Sequence, residues 1–137
     1  MITTERLLLD ASVWVASKVS GSRFYEASRT LVVNTDYPVG TLALAMHEVT
    51  NSLGVSLRRP EETVDMCRLI VGRCGNAMVA PDPMLMRSAL AIAAEHGIAA
   101  YDASYVAAAH REGWTLVSTD FKDLVSKGLA ITPDAAV

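Results

Sequence analysis

Four carboxylates, Asp10, Glu48, Asp102 and Asp120, carry the chemistry this sequence can offer. Asp10 ends the apolar run Arg6–Asp10 (RLLLD) and Asp120 comes just after Trp114–Ser118 (WTLVS), and both runs read as strands. In an open parallel sheet, residues past the carboxyl ends of the strands share one rim, and ligands bind there. Asp102 opens a predicted helix and Glu48 lies inside another, so both can point at the same rim. Four like charges gathered in one place repel and raise one another's pKa values unless a cation neutralises them. A hard divalent ion such as Mg²⁺, held by carboxylate oxygens and water, resolves the conflict. Each acid also has a plain structural reading. Asp10, Asp102 and Asp120 stand at helix starts, where Asp caps orphan N–H groups. For Glu48 that reading is a solvated helix face, although Leu44, Asn51 and Val55 make the face a mixed one.

The elements that must position these acids alternate. After the first strand, Ala11–Val19 reads as a helix closed by Ser20-Gly21, and a second helix runs from Phe24 to about Val33. A turn near Asn34–Pro38 and a short strand at Tyr37–Gly40 follow, and Thr41 opens a long helical stretch to Arg59. Pro60-Glu61-Glu62 starts another helix, with proline at its first position and carboxylates complementing the dipole, and Gly75 ends it. Ala77–Ala80 is a strand; Asp82-Pro83 caps a helix that stops at His96-Gly97. Asp102 opens an Ala-rich helix ended by Gly113, and after Asp120 come a short helix, Phe121–Lys127, and a last strand, Leu129–Ile131. Strands separated by helices require crossovers, hence an α/β fold with a central, mainly parallel sheet flanked by helices.

The 137 residues suit one domain, 1–137, and the 51% apolar content is enough for a core of ordinary depth. The net charge of −3 leaves no global basic footprint, so nucleic-acid binding would need local cations, with Lys18, Arg23, Arg58, Arg59 and Lys122 as candidates. His47 adjoins Glu48, but successive helix residues point about 100° apart. The run Met1–Asp10 lacks the length and cleavage site of a signal peptide, and no apolar stretch reaches the roughly 18 residues of a membrane span. A cytoplasmic protein with no membrane association is expected. Cys67 and Cys74 would be separated by about 10.5 Å of helix rise, beyond disulfide reach. Without CxxC, HExxH or paired His spacing, a zinc site is disfavoured and any metal should take oxygen ligands.

Four segments, LLLDASV at 7–13, EVTNSL at 48–53, YDASYVAAA at 101–109 and LVSTDF at 116–121, come in the order and with the approximate spacing of one family. The chain resembles a PIN domain, most closely a VapC-type toxin of a prokaryotic toxin–antitoxin pair. That resemblance implies a PIN-like fold in which Asp10, Glu48, Asp102 and Asp120 form the acidic site, with Ser12, Asn51 and Thr119 as polar neighbours. It implies a Mg²⁺- or Mn²⁺-dependent endoribonuclease, inhibited by a small VapB-type antitoxin and assembled as a homodimer. On this basis Asp10 and Asp102 are expected as direct ligands, Glu48 as a ligand or water-orienting base, and Asp120 as a ligand to the same ion or a second one. Ile98-Ala99-Ala100 stands where the family often carries a proline.

Helix Ala11–Val19 carries Val13, Trp14, Val15 and Ala16 in succession, a run that cannot all face one core. Neighbouring helices could bury it, or it could form part of a groove for the antitoxin. Other readings keep the fold and change the biology: a PIN nuclease of RNA processing with no antitoxin, or a PIN-like scaffold that binds RNA or metal without cleaving. A phosphoacceptor receiver domain would need paired early acids and a late lysine, and a haloacid-dehalogenase-type phosphatase would need Asp where this chain has Ser12.

Overall fold

Leu7–Leu9 (β1) are each at most 4% exposed, so this strand has no solvent face, as expected where helices cover a parallel sheet on both sides. The structure, a computed structural model, describes residues 5–137; the part of the N-terminal run before Glu5 lies outside the described residues. Three further strands, β2 (Val39–Leu42), β3 (Met78–Val79) and β4 (Thr115–Val117), complete a parallel sheet in the order β3-β2-β1-β4. Leu7 pairs with both Val39 and Thr115. Winding therefore runs one way from β1 to β3 and the other way to β4. Such a reversal opens a crevice beyond the carboxyl ends of the two diverging strands. Asp10 and Ser118–Asp120 lie directly there, with Asp10 N–H donating to the Val117 carbonyl at 3.2 Å.

The helices are α1 (Ala11–Ala16), α2 (Tyr25–Val33), α3 (Leu44–Val49), α4 (Pro60–Cys74), α5 (Pro83–His96), α6 (Ala100–Glu112) and α7 (Pro133–Ala136). The long stretch expected from Thr41 to Arg59 is divided. Thr41 belongs to β2, where its hydroxyl donates to the Leu9 carbonyl at 2.6 Å and accepts from the Trp14 indole at 3.2 Å. That buried network holds the backbone extended, and α3 starts only at Leu44. From Thr50 to Ser56 the helix widens into a π-helical segment, whose i→i+5 bonds include Leu57 N–H to the Ser52 carbonyl.

Helix α1 ends at Ala16 rather than Val19, where Ser17 turns back to bond the Trp14 carbonyl. The expected strand at Leu129–Ile131 is reduced to a single bridge between Ile131 and Val117, and the short helix after Asp120 is a π-helical turn, Phe121–Val125. Of the apolar run in α1, Val13, Trp14 and Ala16 are buried, so neighbouring elements cover most of it; Val15 remains half-buried.

Two contacts fix the layers around the sheet. The Arg73 guanidinium of α4 donates to the carbonyls of Leu31, Val32, Asn34 and Tyr37 at 2.7–3.2 Å, closing the C-terminal end of α2. At Gly40 a Cβ would meet the Ala77 carbonyl oxygen at 2.7 Å and the Trp114 ring at 2.9 Å, so only glycine lets β2 approach this closely. Cys67 and Cys74 are free thiols, and burial pushes Cys74 up to about 11. Among the described residues, no helix is long and apolar enough to cross a membrane.

Candidate metal centre

Each acid reaches the crevice by a different route. Asp10 is the N-cap of α1: its Oδ1 accepts from Ser12 N–H at 3.0 Å and, over a short contact, from the Ser12 hydroxyl. The same hydroxyl accepts from Thr119 N–H at 3.0 Å, so Ser12 joins the rim of β1 to that of β4. Ser118, fully buried, links them a second time: its hydroxyl bonds the Asp10 carboxyl and accepts from Asp120 N–H at 3.0 Å. Asp120 in turn caps the following π-helical turn, accepting from Asp123 N–H at 3.0 Å.

Asp102 is no cap. Helix α6 begins at Ala100 after Ala99, which places Asp102 inside the first turn with its carboxyl turned to the other acids. Carboxylate oxygens of Asp102, Asp120 and Asp123 lie within 4.8 Å of one another, a spacing that one cation could bridge. Glu48 is half-buried, and its Oε1 accepts from the Tyr105 hydroxyl at 2.6 Å. Asn51 is exposed on the π-helical segment, and no hydrogen bond joins its side chain to the acids among the described residues.

Asp10 and Glu48 lie outside this close trio, and electrostatics links them to it through Glu48, whose charge acts on both Asp102 and Asp10. Burial pushes Asp10 up to about 6, against hydrogen bonds from Ser118, Ser12 and Val13 N–H, and the Glu48 charge raises it further. Asp102 is raised by burial first, then by the charges of Asp120, Glu48 and Asp123. Protons concentrated on clustered acids mark a site that a cation would relieve. The donors are all carboxylate oxygens, the set that hard Mg²⁺ or Mn²⁺ prefers over zinc.

Three residues of this constellation had no role assigned from sequence: Asp123, Ser118 and Tyr105. Asp123 follows Asp120 by three positions within a predicted helix, and Tyr105 follows Asp102 by three on α6, spacings that put side chains on one face. Ser118 had no such signal, since a serine ending a strand is ordinary.

A family model described as the PIN domain matches residues 7–125, which include all five acids. The chain belongs to the PIN-domain family. It is 32% identical over 119 residues to Ribonuclease VapC3 of Pyrobaculum aerophilum, with 84% of this chain and 89% of that protein covered. In fold the PIN domain resembles a toxin–antitoxin complex from Klebsiella pneumoniae, with a TM-score of 0.68 at 16% identity, covering 93% of this chain and 97% of that one. It also resembles VapC20 of Mycobacterium tuberculosis, described as a sarcin-ricin loop cleaving toxin, with a TM-score of 0.68 at 17% identity, covering 89% and 95%. The expected architecture is the observed one: a single PIN-like α/β sheet flanked by helices.

Proposed function

We propose that this PIN domain, 1–137, is a Mg²⁺-dependent endoribonuclease, the toxin of a type II toxin–antitoxin pair acting in the cytoplasm. The observation that carries the reading is the meeting of Asp102, Asp120 and Asp123 beside Asp10 and Glu48 at the crevice between β1 and β4. The VapC3 ribonuclease relative supports RNA as the substrate.

Asp102, Asp120 and Asp123 would hold the ion, with Asp10 beside them; Mn²⁺ could replace Mg²⁺. When bound, such an ion stabilises charge on the scissile phosphate and lowers the pKa of an attacking water. Glu48 has one oxygen committed to Tyr105, and its other oxygen is available to orient that water and take its proton. Ser12 and Thr119 hold the two rims in register, and Asn51 is kept only as an outer contact for RNA. Arg23, Arg58 and Lys122 are exposed and make no ion pair among the described residues, leaving them able to meet phosphates.

Exposed Val55, Leu57, Val64 and Val71 offer apolar surface to a VapB-type antitoxin, and exposed Met84, Met86 and Leu90 on α5 offer a face for a homodimer. The test is incubation of the purified chain with total RNA in Mg²⁺ or EDTA, with the cut ends mapped. Cleavage in Mg²⁺ that EDTA and Asp102→Asn both abolish is the expected result. Equal cleavage in EDTA would overturn the reading.

A further inference from the structure

Resting on the nuclease reading above, we propose that the cavity between α1 and the π-helical end of α3 is a subsite for one nucleoside of a single-stranded RNA, beside the phosphate that is cut. The cavity measures about 440 Å³ and is continuous with the acids, because Ser12, Glu48 and Thr119 line it. That volume falls within the roughly 300–1,000 Å³ of small-molecule sites.

Its walls have two chemistries. Val15 and Val19 supply an apolar surface against which a base can lie flat, and this is why Val15 is only half-buried against the core. Ser22, Ser52 and Thr119 supply hydroxyls. Among the described residues the hydroxyls of Ser52 and Thr119 have no hydrogen-bond partner, and Ser22 Oγ only accepts, from Phe24 N–H at 3.2 Å. Each hydroxyl can donate as well as accept, the versatility that a base edge or a ribose 2′-OH demands.

Charge decides which part of the RNA enters. Glu48 is the charged residue of the lining, and no Lys or Arg accompanies it. A phosphate would be repelled, so the occupant is the neutral part of a nucleotide, a base with its sugar. Arg59 fixes the width of the cavity: its Nη1 donates to the Lys18 carbonyl at 3.0 Å, tying the end of α1 to the chain beyond the π-helical segment. A base can enter only when unstacked, which selects loops and single strands.

The whole chain serves for the test. Each of the four ribonucleosides is titrated into the metal-free protein while the Val19 methyl groups are followed by NMR, and cut ends in total RNA are mapped separately with Mg²⁺. We expect nucleoside-dependent methyl shifts and one base recurring at a fixed position beside the cuts. Val15→Phe, which places a ring over the apolar wall where the base would lie, should weaken both. Ser52→Ala, which adds no bulk, should weaken nucleoside binding roughly three- to ten-fold. Asp102→Asn lies outside the cavity and should abolish cleavage while nucleosides still bind, so the two readings fail separately. Nucleoside binding to a wild type that never cleaves would support the subsite and overturn the nuclease. Absence of any nucleoside-dependent shift would overturn the subsite, as would a base preference that survives both Val15→Phe and Ser52→Ala. So would methyl shifts caused only by a bound protein partner.

Discussion

The Tyr105 hydroxyl donates to Glu48 Oε1 at 2.6 Å, joining α6 to α3 across 57 positions of sequence. Tyr105 is 2% exposed and its hydroxyl is held far above the ordinary tyrosine range, by burial first and then by the Glu48 charge. It stays protonated and always a donor, which pins one Glu48 oxygen and leaves the other free. On the nuclease reading, Tyr105 is thus a positioning residue. Tyr105→Phe should lower kcat for RNA cleavage roughly ten-fold, since bonds to charged groups are worth about 1.5–3 kcal/mol, with KM little changed. Steady-state kinetics on a short RNA checks this; a raised KM at constant kcat would move Tyr105 to substrate binding.

Asp10 gives a pH dependence with a definite sign. Its folded-state value of about 6 lies above the ordinary 3.8. Between those values the folded chain holds a proton that the unfolded chain releases, so the stability Asp10 contributes is present below the lower value and lost as pH rises through the upper one. The loss is at most about 3 kcal/mol in the metal-free protein. Asp10→Asn keeps an acceptor for Ser12 N–H and removes the buried charge. In EDTA at neutral pH the variant should melt higher than wild type, with the gap closing toward pH ~4, while Mg²⁺ should stabilise the wild type more. Melts of both proteins across this range decide it, and an Asn variant less stable at neutral pH would return Asp10 to a simple cap.

Asp123 tests the composition of the centre. Its N–H, not its carboxyl, supports Asp120, so the Asp123→Asn change leaves that bond in place and removes only a charge from the trio. The Mg²⁺ concentration for half-maximal cleavage should rise roughly ten-fold or more, with activity recovering at high Mg²⁺. An unchanged Mg²⁺ titration would exclude Asp123 from the centre.

Gly40→Ala tests the sheet beneath it. A methyl group 2.7 Å from the Ala77 carbonyl forces β2 away from the backbone leading into β3. Overpacking of this kind costs about 1–3 kcal/mol, and the melting temperature should fall by roughly 2–4 °C per kcal/mol. Thermal melts in EDTA, free of any metal contribution, measure it.

Local chemistry explains which elements could be read in advance. Pro60-Glu61-Glu62, Asp82-Pro83 and His96-Gly97 act within one turn of chain, and α4 and α5 begin and end where those residues require. The end of β2 was not legible because nothing local keeps Thr41 extended; Leu9 and Trp14, distant in sequence, do so. Both π-helical segments escaped for a related reason, since apolar spacing of 3.6 residues does not announce i→i+5 bonds. At the centre, Asp10 and Asp120 were visible because they end apolar runs. Their capping bonds are present, and each leaves a carboxylate oxygen over, so a cap is not by itself an argument against a metal role. The helix expected to open at Asp102 begins two residues earlier, at Ala100, without a side-chain cap, so Asp102 lies inside its first turn.

The pairing of β1 with β4 has a further consequence, for biosynthesis. Leu7–Leu9 are synthesised more than a hundred residues before their neighbour Thr115–Val117, which is made close to Asp120 and Asp123. A chain stalled partway, or cut within α4, holds Asp10 and Glu48 without Asp102, Asp120 and Asp123. On the nuclease reading, a nascent copy is harmless to the ribosome that makes it, and an antitoxin need be ready only when the last strand docks.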